Sequence, residues 1–200
     1  MSFTINQLVS FSFLAVIMSI TPGPNNIMVL FSSVQFGTYR TLPHILGASL
    51  GSAIMLFLVG IGFHNILSSF PQVLLAIKYI GTAYIFYLSW QLMMDSSLIQ
   101  EENESKPMNV IQASLFQWIN PKSWIMAGIA ISTCLPINFT LKDIIFYSIV
   151  FVVISFPCVW IWAILGTTIT KFINSMRFMR IFNISCACLL FCSGLMMIFP

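Results

Sequence analysis

Six apolar runs take up almost the whole chain: residues 8–34, 42–63, 73–94, 110–135, 144–165 and 178–199. Each is close to the roughly 20 residues that cross a bilayer's hydrocarbon layer as a helix. No water is available there, so every backbone N–H and C=O must be paired within the segment, and the spanning form is helical. The expected fold is an all-α integral membrane protein with six transmembrane helices. Composition leaves little room for another class. Of 200 residues, 58% are hydrophobic and 6% charged, against roughly a quarter charged in ordinary soluble domains. A soluble helical globule needs a wetted outside that this chain cannot supply. The net charge of +3 is spread thinly. No Lys/Arg cluster interleaves with aromatics, so nucleic acid is not an expected partner. The lipid bilayer is.

Residues 1–20 lack a basic leader and a small-x-small cleavage pattern, so they read as a retained part of the first span. The cysteines, Cys134, Cys158, Cys186, Cys188 and Cys192, lie in or beside apolar runs without CxxC spacing. They read as small apolar helix residues, and no metal or cofactor is expected.

The longest connector, residues 95–109, carries the polar, acidic run DSSLIQEENESKP at mid-chain. It joins two halves, about 1–94 and 110–200, of one transmembrane domain covering 1–200. Each half holds three spans, and an odd number inverts the second half relative to the first. With the N-terminus outside, inner loops hold Arg40, Lys106, Lys171, Arg177 and Arg180, and the outer side holds Lys142 and Lys78. The positive-inside rule then places both termini outside.

The first span is interrupted by ITPGPNNI, residues 20–27. Pro22 and Pro24 each remove a backbone donor and clash with the preceding turn. Gly23 removes the side chain that would cover the opened backbone. Unpaired carbonyls in hydrocarbon cost several kcal/mol unless protein, water or solute satisfies them. Thr21, Asn25 and Asn26 bring polar groups to the same place. The N–H groups and positive dipole end of the second half-helix also point into the break. A plain proline kink with capping asparagines explains one proline less awkwardly than it explains this whole run.

The fourth span is interrupted in the same way by WINPKSW, residues 118–124, with Asn120, Pro121 and Lys122 in the break. Inverted halves with helices 1 and 4 broken near the midplane are the pattern of a secondary transporter with a central site. Lys122 is the one charge deep in a span, and burial there demands a reason. It either binds a carboxylate, or exchanges a proton, or reaches an interface with its long stem. Gln117 and Asn120 beside it form a polar patch.

Other features read as structural. Gly47 and Gly51 form a GxxxG pair suited to close helix packing. Gly81, Tyr84, Tyr87 and Trp90 share a helix face and read as packing residues. His44 and His64 read as interfacial histidines, and Asp95 and Asp143 as water-facing span ends. No HExxH or paired-carboxylate motif suggests an enzyme. A non-transporting membrane scaffold or assembly subunit is the competing reading, and it predicts continuous helices rather than two matched breaks.

In order and spacing, residues 21–25 (TPGPN), 37–51 (GTYRTLPHILGASLG), 78–90 (KYIGTAYIFYLSW) and 120–122 (NPK) resemble the LysE/RhtB family of bacterial amino-acid exporters. TPGPNNI and Lys106-Pro107 look most like its cysteine/O-acetylserine exporters. The resemblance implies efflux of amino acids across the bacterial inner membrane by a proton antiporter. The family also covers threonine, homoserine, leucine and basic amino acids. One lysine and several amides, with no deep carboxylate, suit a small neutral zwitterion better than a cation. The expected substrate-binding set is therefore Thr21, Pro22, Gly23, Pro24, Asn25, Asn26, Asn120, Pro121 and Lys122. Lys122 is the one deep candidate for proton coupling. Trp124 either narrows the pocket or faces lipid. A homodimer is compatible with a six-span chain of this size.

Overall fold

The computed structural model describes residues 4–63, 71–94, 106–136, 139–171 and 176–198. Regular structure among them is helical: α1 (Ile5–Ile20), α2 (Pro24–Leu58), α3 (Pro71–Met94), α4 (Val110–Ile119), α5 (Pro121–Cys134), α6 (Leu141–Thr170) and α7 (Met176–Ile198). A π-helical turn, Val59–Phe63, continues α2. His64, Asp95 and the acidic part of the central connector lie outside the described residues.

Helix starts are set by local chemistry. Thr4 and Gln7 form a reciprocal capping box at α1, with Thr4 N–H donating to Gln7 Oε1 at 2.8 Å. Asn109 and Gln112 repeat it at α4, where Gln112 N–H donates to Asn109 Oδ1 at 2.9 Å. Thr140 and Asp143 repeat it at α6. Each box satisfies two donors that a helix start otherwise leaves unpaired. Asp143 is fully buried, its carboxylate accepting from Thr140 N–H at 2.8 Å and Thr140 Oγ1 at 2.7 Å. The expectation that it faces water is corrected on this point, because the cap turns the side chain back onto its own backbone.

α2 folds back on itself. Gly37 has φ 80° and ψ 163°, a conformation essentially restricted to glycine. Ser32 Oγ and Thr41 Oγ1 lie 3.2 Å apart, whereas nine residues of straight helix would separate them by about 13.5 Å. The turn therefore makes two arms, residues 24–36 and 38–58, and exposes Tyr39 and Arg40 at its tip. Sequence alone separated the two arms at this place.

Among the described residues, three helices are long and apolar enough to cross a membrane: Pro24–Gly62, Leu141–Thr170 and Arg177–Met196. The first is the one folded at Gly37. α1 and α4 are shorter apolar helices. The exterior carries large apolar side chains such as Val9, Phe13, Ile111, Leu115, Val153 and Met196, while Asn26, Ser33, His44, Gln117 and Asn120 are buried. That polarity, apolar outside and polar inside, is what hydrocarbon solvent demands.

Three apolar clusters hold the described helices, the smallest formed by Val29, Ile45, Val159 and Ala163; the other two join more elements. In one, Phe11 of α1, Met55 of α2 and Ala127 of α5 pack against Tyr147 and Phe151 of α6, with the Phe11 and Tyr147 rings edge-on at 4.7 Å. In the other, Ile27 and Leu30 of α2 meet Ile85 of α3 and Leu190 of α7. α2 presses on α4 through its glycine pair. A Cβ added to Gly47 would sit 2.8 Å from Ala113 Cβ, and one added to Gly51 would sit 2.6 Å from Ser114 Cα. The GxxxG face is thus occupied within the chain, and Ser114 Oγ donates to the Gly47 carbonyl at 2.9 Å.

Candidate functional site

α1 ends at Ile20 because the next residues cannot continue its ladder. In a helix, the N–H groups of residues 22 and 24 would bond the carbonyls of Met18 and Ile20. Both positions are proline and have no N–H. Substitute donors take their places. Thr21 Oγ1 donates to the Met18 carbonyl at 3.1 Å, and Trp162 Nε1 from α6 donates to the Ile20 carbonyl at 3.1 Å. The Asn26 side-chain amide reaches back to the carbonyls of Ser19 and Thr21, each at 2.8 Å. The Thr21 N–H bonds the Ile17 carbonyl at 3.1 Å, and the Ile27 N–H bonds the Gly23 carbonyl at 3.0 Å.

The remaining donor crosses from the second break. Lys122 Nζ donates to the Thr21 carbonyl at 3.0 Å, to Thr21 Oγ1 at 3.0 Å and to the Pro22 carbonyl at 3.4 Å. These occupy all three ammonium donors. The cation also rests at the negative end of the α1 dipole, a favourable place for it. Gly23 makes the approach possible: a Cβ there would lie 3.0 Å from Lys122 Cδ and Nζ. Glycine also leaves α2 without a side-chain cap, and Pro24 starts that helix at its first turn.

The second break is built on the same logic. Asn120 has extended backbone, φ −89° and ψ 103°, and is both the end of α4 and the start of α5. Its Oδ1 accepts from the Lys122 backbone N–H at 3.2 Å. That N–H would otherwise have served the Trp118 carbonyl, which instead accepts from Trp124 Nε1 at 2.9 Å. Trp124 therefore caps the break, while its ring also borders a large cavity. An indole N–H thus covers one freed carbonyl in each break. Gly81 of α3 lies directly against the Ile119 carbonyl, with no space for a Cβ.

Gln117 ties the breaks together. Its Nε2 donates to Asn25 Oδ1 at 3.3 Å and to the Ala113 carbonyl at 3.0 Å. Its Oε1 accepts from Ser123 Oγ at 2.8 Å and Ser52 Oγ at 3.3 Å. Both amide protons and both lone pairs are used.

The two breaks meet around a cavity of about 40 Å³, whose wall includes Gly23, Asn25, Asn26, Asn120 and Lys122, with Ser52 and Gln117. That volume admits a few waters and no amino acid. A second cavity of about 780 Å³ is bordered by Thr21, Pro22, Gly23, Pro121 and Lys122, with Lys78 and Met196 towards one end of the molecule. Gly23 and Lys122 border both spaces, so the lysine stands in the wall between them. Pro24 is buried and borders neither. Gln117, Ser52, Ser123 and Trp162 complete the arrangement. Of these, sequence marked only the polarity of Gln117, since serines beside glycines and a tryptophan in an apolar run ordinarily signal packing.

At the other end of α3, a third cavity of about 820 Å³ contains His44 in its wall. The imidazole is 1% exposed, and neither ring nitrogen has a hydrogen-bond partner. Each unpaired buried polar group costs about 1–3 kcal/mol.

Residues 16–199 match the family model of the LysE type translocator. The chain is 30% identical over 152 residues to the cysteine/O-acetylserine efflux proteins of Salmonella typhimurium and Escherichia coli O157:H7, covering 75% of this chain and 77% of each relative. It is also 30% identical over 111 residues to an uncharacterized membrane protein of Pseudomonas aeruginosa, covering 51% of both chains. No solved structure matches.

Proposed function

The chain belongs to the LysE type translocator family, and from that premise we propose that it exports small neutral amino acids or their derivatives from the cytoplasm. Cysteine and O-acetylserine lead, by the names of its relatives, with threonine and homoserine next. The carrying observation is the Lys122 ammonium of one break bound to the Thr21 and Pro22 carbonyls of the other.

That contact suggests a partner exchange. A solute carboxylate is a stronger acceptor than neutral carbonyls, because charge-assisted hydrogen bonds are roughly twice as strong. A zwitterion entering the junction draws Lys122 to its carboxylate. Its own ammonium then takes the Thr21 and Pro22 carbonyls that the lysine leaves, with Asn25 and Asn120 beside it. Both ends of the solute are satisfied, and the direct link between breaks becomes a link through solute. A cationic amino acid brings a second positive charge that no described residue bordering the junction neutralises.

In this reading the multi-pass chain crosses the bacterial inner membrane six times, as two inverted halves with both termini outside. The halves rock about the junction in alternating access. Lys122, the one charged residue bordering the small cavity, carries the coupling proton of an antiport cycle. The test is efflux from proteoliposomes preloaded with labelled cysteine, O-acetylserine, threonine or lysine, with and without a pH gradient. Export of the neutral solutes, accelerated by the gradient and absent for lysine, is the expected result. No flux of any solute from folded protein overturns the reading in favour of a scaffold with two static kinks.

A further inference from the structure

Gly23 and Lys122 stand between the cavity of about 40 Å³ and the one of about 780 Å³. The small one has room for a few waters, which is also the room that a carboxylate takes. We propose that the small cavity seats the carboxylate of the solute, held by the side-chain NH2 groups of Asn25 and Asn120 together with Lys122, while the rest of the solute stays on the side of the large cavity. The proposal rests on the exporter reading for the identity of the solute.

The orientation of the amides is the first reason, and each is fixed by a partner that acts in one sense only. The Lys122 backbone N–H can only donate, so Asn120 meets it with Oδ1, at 3.2 Å, and turns its NH2 elsewhere. The Ala113 carbonyl can only accept, so Gln117 presents Nε2 there at 3.0 Å, and Asn25 must meet the same nitrogen with Oδ1, at 3.3 Å. The Asn25 NH2 is likewise turned elsewhere. Neither NH2 has a partner among the described residues. Neither nitrogen belongs to the partnerless side-chain atoms that are sealed from all open space, so both have open surface. Asn120 is 2% exposed, and the opening that it shares with Asn25 is the small cavity. Buried polar groups find partners almost without exception, so these four N–H bonds are matched to something that enters.

The sign of the wall is the second. α2 starts at Pro24 without a side-chain cap, which leaves the N–H groups of its first turn and its positive dipole end at the break. Lys122 adds a full positive charge, and no Asp or Glu is among the described residues of the wall. Amide donors, a helix start and an ammonium around one space are the donor set of an anion. Asn26 is turned the opposite way. Its NH2 is spent on the carbonyls of Ser19 and Thr21, which leaves its unsealed Oδ1 to accept from the solute's ammonium. The large cavity, bordered by Ile27, Trp124 and Leu189, suits the side chain.

The test is equilibrium binding of labelled cysteine, and of its decarboxylated analogue cysteamine, to the full chain in lipid nanodiscs. Formate and chloride serve as competitors, and efflux from proteoliposomes is measured in parallel. Cysteine is expected to bind at least about a hundredfold tighter than cysteamine, and formate, a bare carboxylate, to displace it better than chloride does. Asn120→Asp keeps the acceptor for the Lys122 N–H and puts an oxygen in place of the NH2. It should weaken cysteine binding at least about tenfold and leave cysteamine within about threefold, a split that lost packing alone does not produce. Asn25→Asp should do the same. Should Asn120→Asp not fold, Ser155→Leu fills the cavity from α6 without altering either amide, and it should abolish competition by formate. Equal affinity for cysteine and cysteamine, or equal loss of both in the two Asp variants, overturns the carboxylate seat and leaves the exporter reading intact if efflux persists. Displacement by chloride as strong as by formate, with cysteine and cysteamine bound alike, makes the cavity a seat for a free ion and overturns its assignment to the solute. A preference for cysteine that Asn120→Asp removes, in a protein that moves no solute, keeps the seat and removes the exporter reading.

Discussion

At the scale of single residues, the two breaks are a problem of matching carbonyl oxygens to donors. Pro22 and Pro24 delete the donors for Met18 and Ile20, and a hydroxyl and an indole replace them. Trp162→Phe keeps the ring and removes only the N–H. It should leave the Ile20 carbonyl unpaired and cost about 1–3 kcal/mol, read as a lowered unfolding temperature in detergent with little change in helix content. Lys122→Ala removes three bonds at once. The expected outcome is at least a tenfold loss of efflux at normal membrane abundance, and wild-type flux would remove Lys122 from the proposed site. The prolines and the half-buried lysine were legible because their chemistry is wrong for an uninterrupted span. The matching donors were not. Asn26, Trp162 and Gln117 act across gaps of several to over a hundred residues, and such pairings leave no periodicity in sequence. Asp143 was misplaced for a related reason: a carboxylate at a helix start suits water and a capping box equally.

At the scale of elements, glycines decide how closely helices approach. Gly37→Ala meets no atom within 4 Å, so its effect is backbone strain alone. About 1–3 kcal/mol is expected, measured as thermal destabilisation. Gly81 is the opposite case, with normal backbone and no space. Gly81→Leu should force α3 away from the Ile119 carbonyl and the second break, lowering transport more than helix content. Equal loss of both would make Gly81 a folding residue only. The division into arms at Gly37 was readable from the polar stretch around Arg40 between apolar runs. The reciprocal caps at Thr4 and Asn109 were also present in sequence as T-x-x-Q and N-x-x-Q, and they start α1 and α4 alike. That the arms of α2 enclose cavities at two levels was not readable, because small residues such as Ala48 and Ser52 signal close packing rather than the wall of a space.

At the scale of the whole molecule, the distribution of basic residues argues orientation. A tag at either terminus should be cleaved by protease added to spheroplasts, and protection of both would invert the proposed topology and exchange the two cavities' sides. A large cavity reaches Lys122 from one side, but beyond the lysine the space between the breaks narrows to a cavity of about 40 Å³, and the freed carbonyls from Ile17 to Gly23 already have donors. A junction so saturated offers no file of water along which charge can hop. The expected consequence is an electrically tight junction in this conformation, so proteoliposomes holding the protein without solute should keep an imposed membrane voltage as long as empty liposomes do.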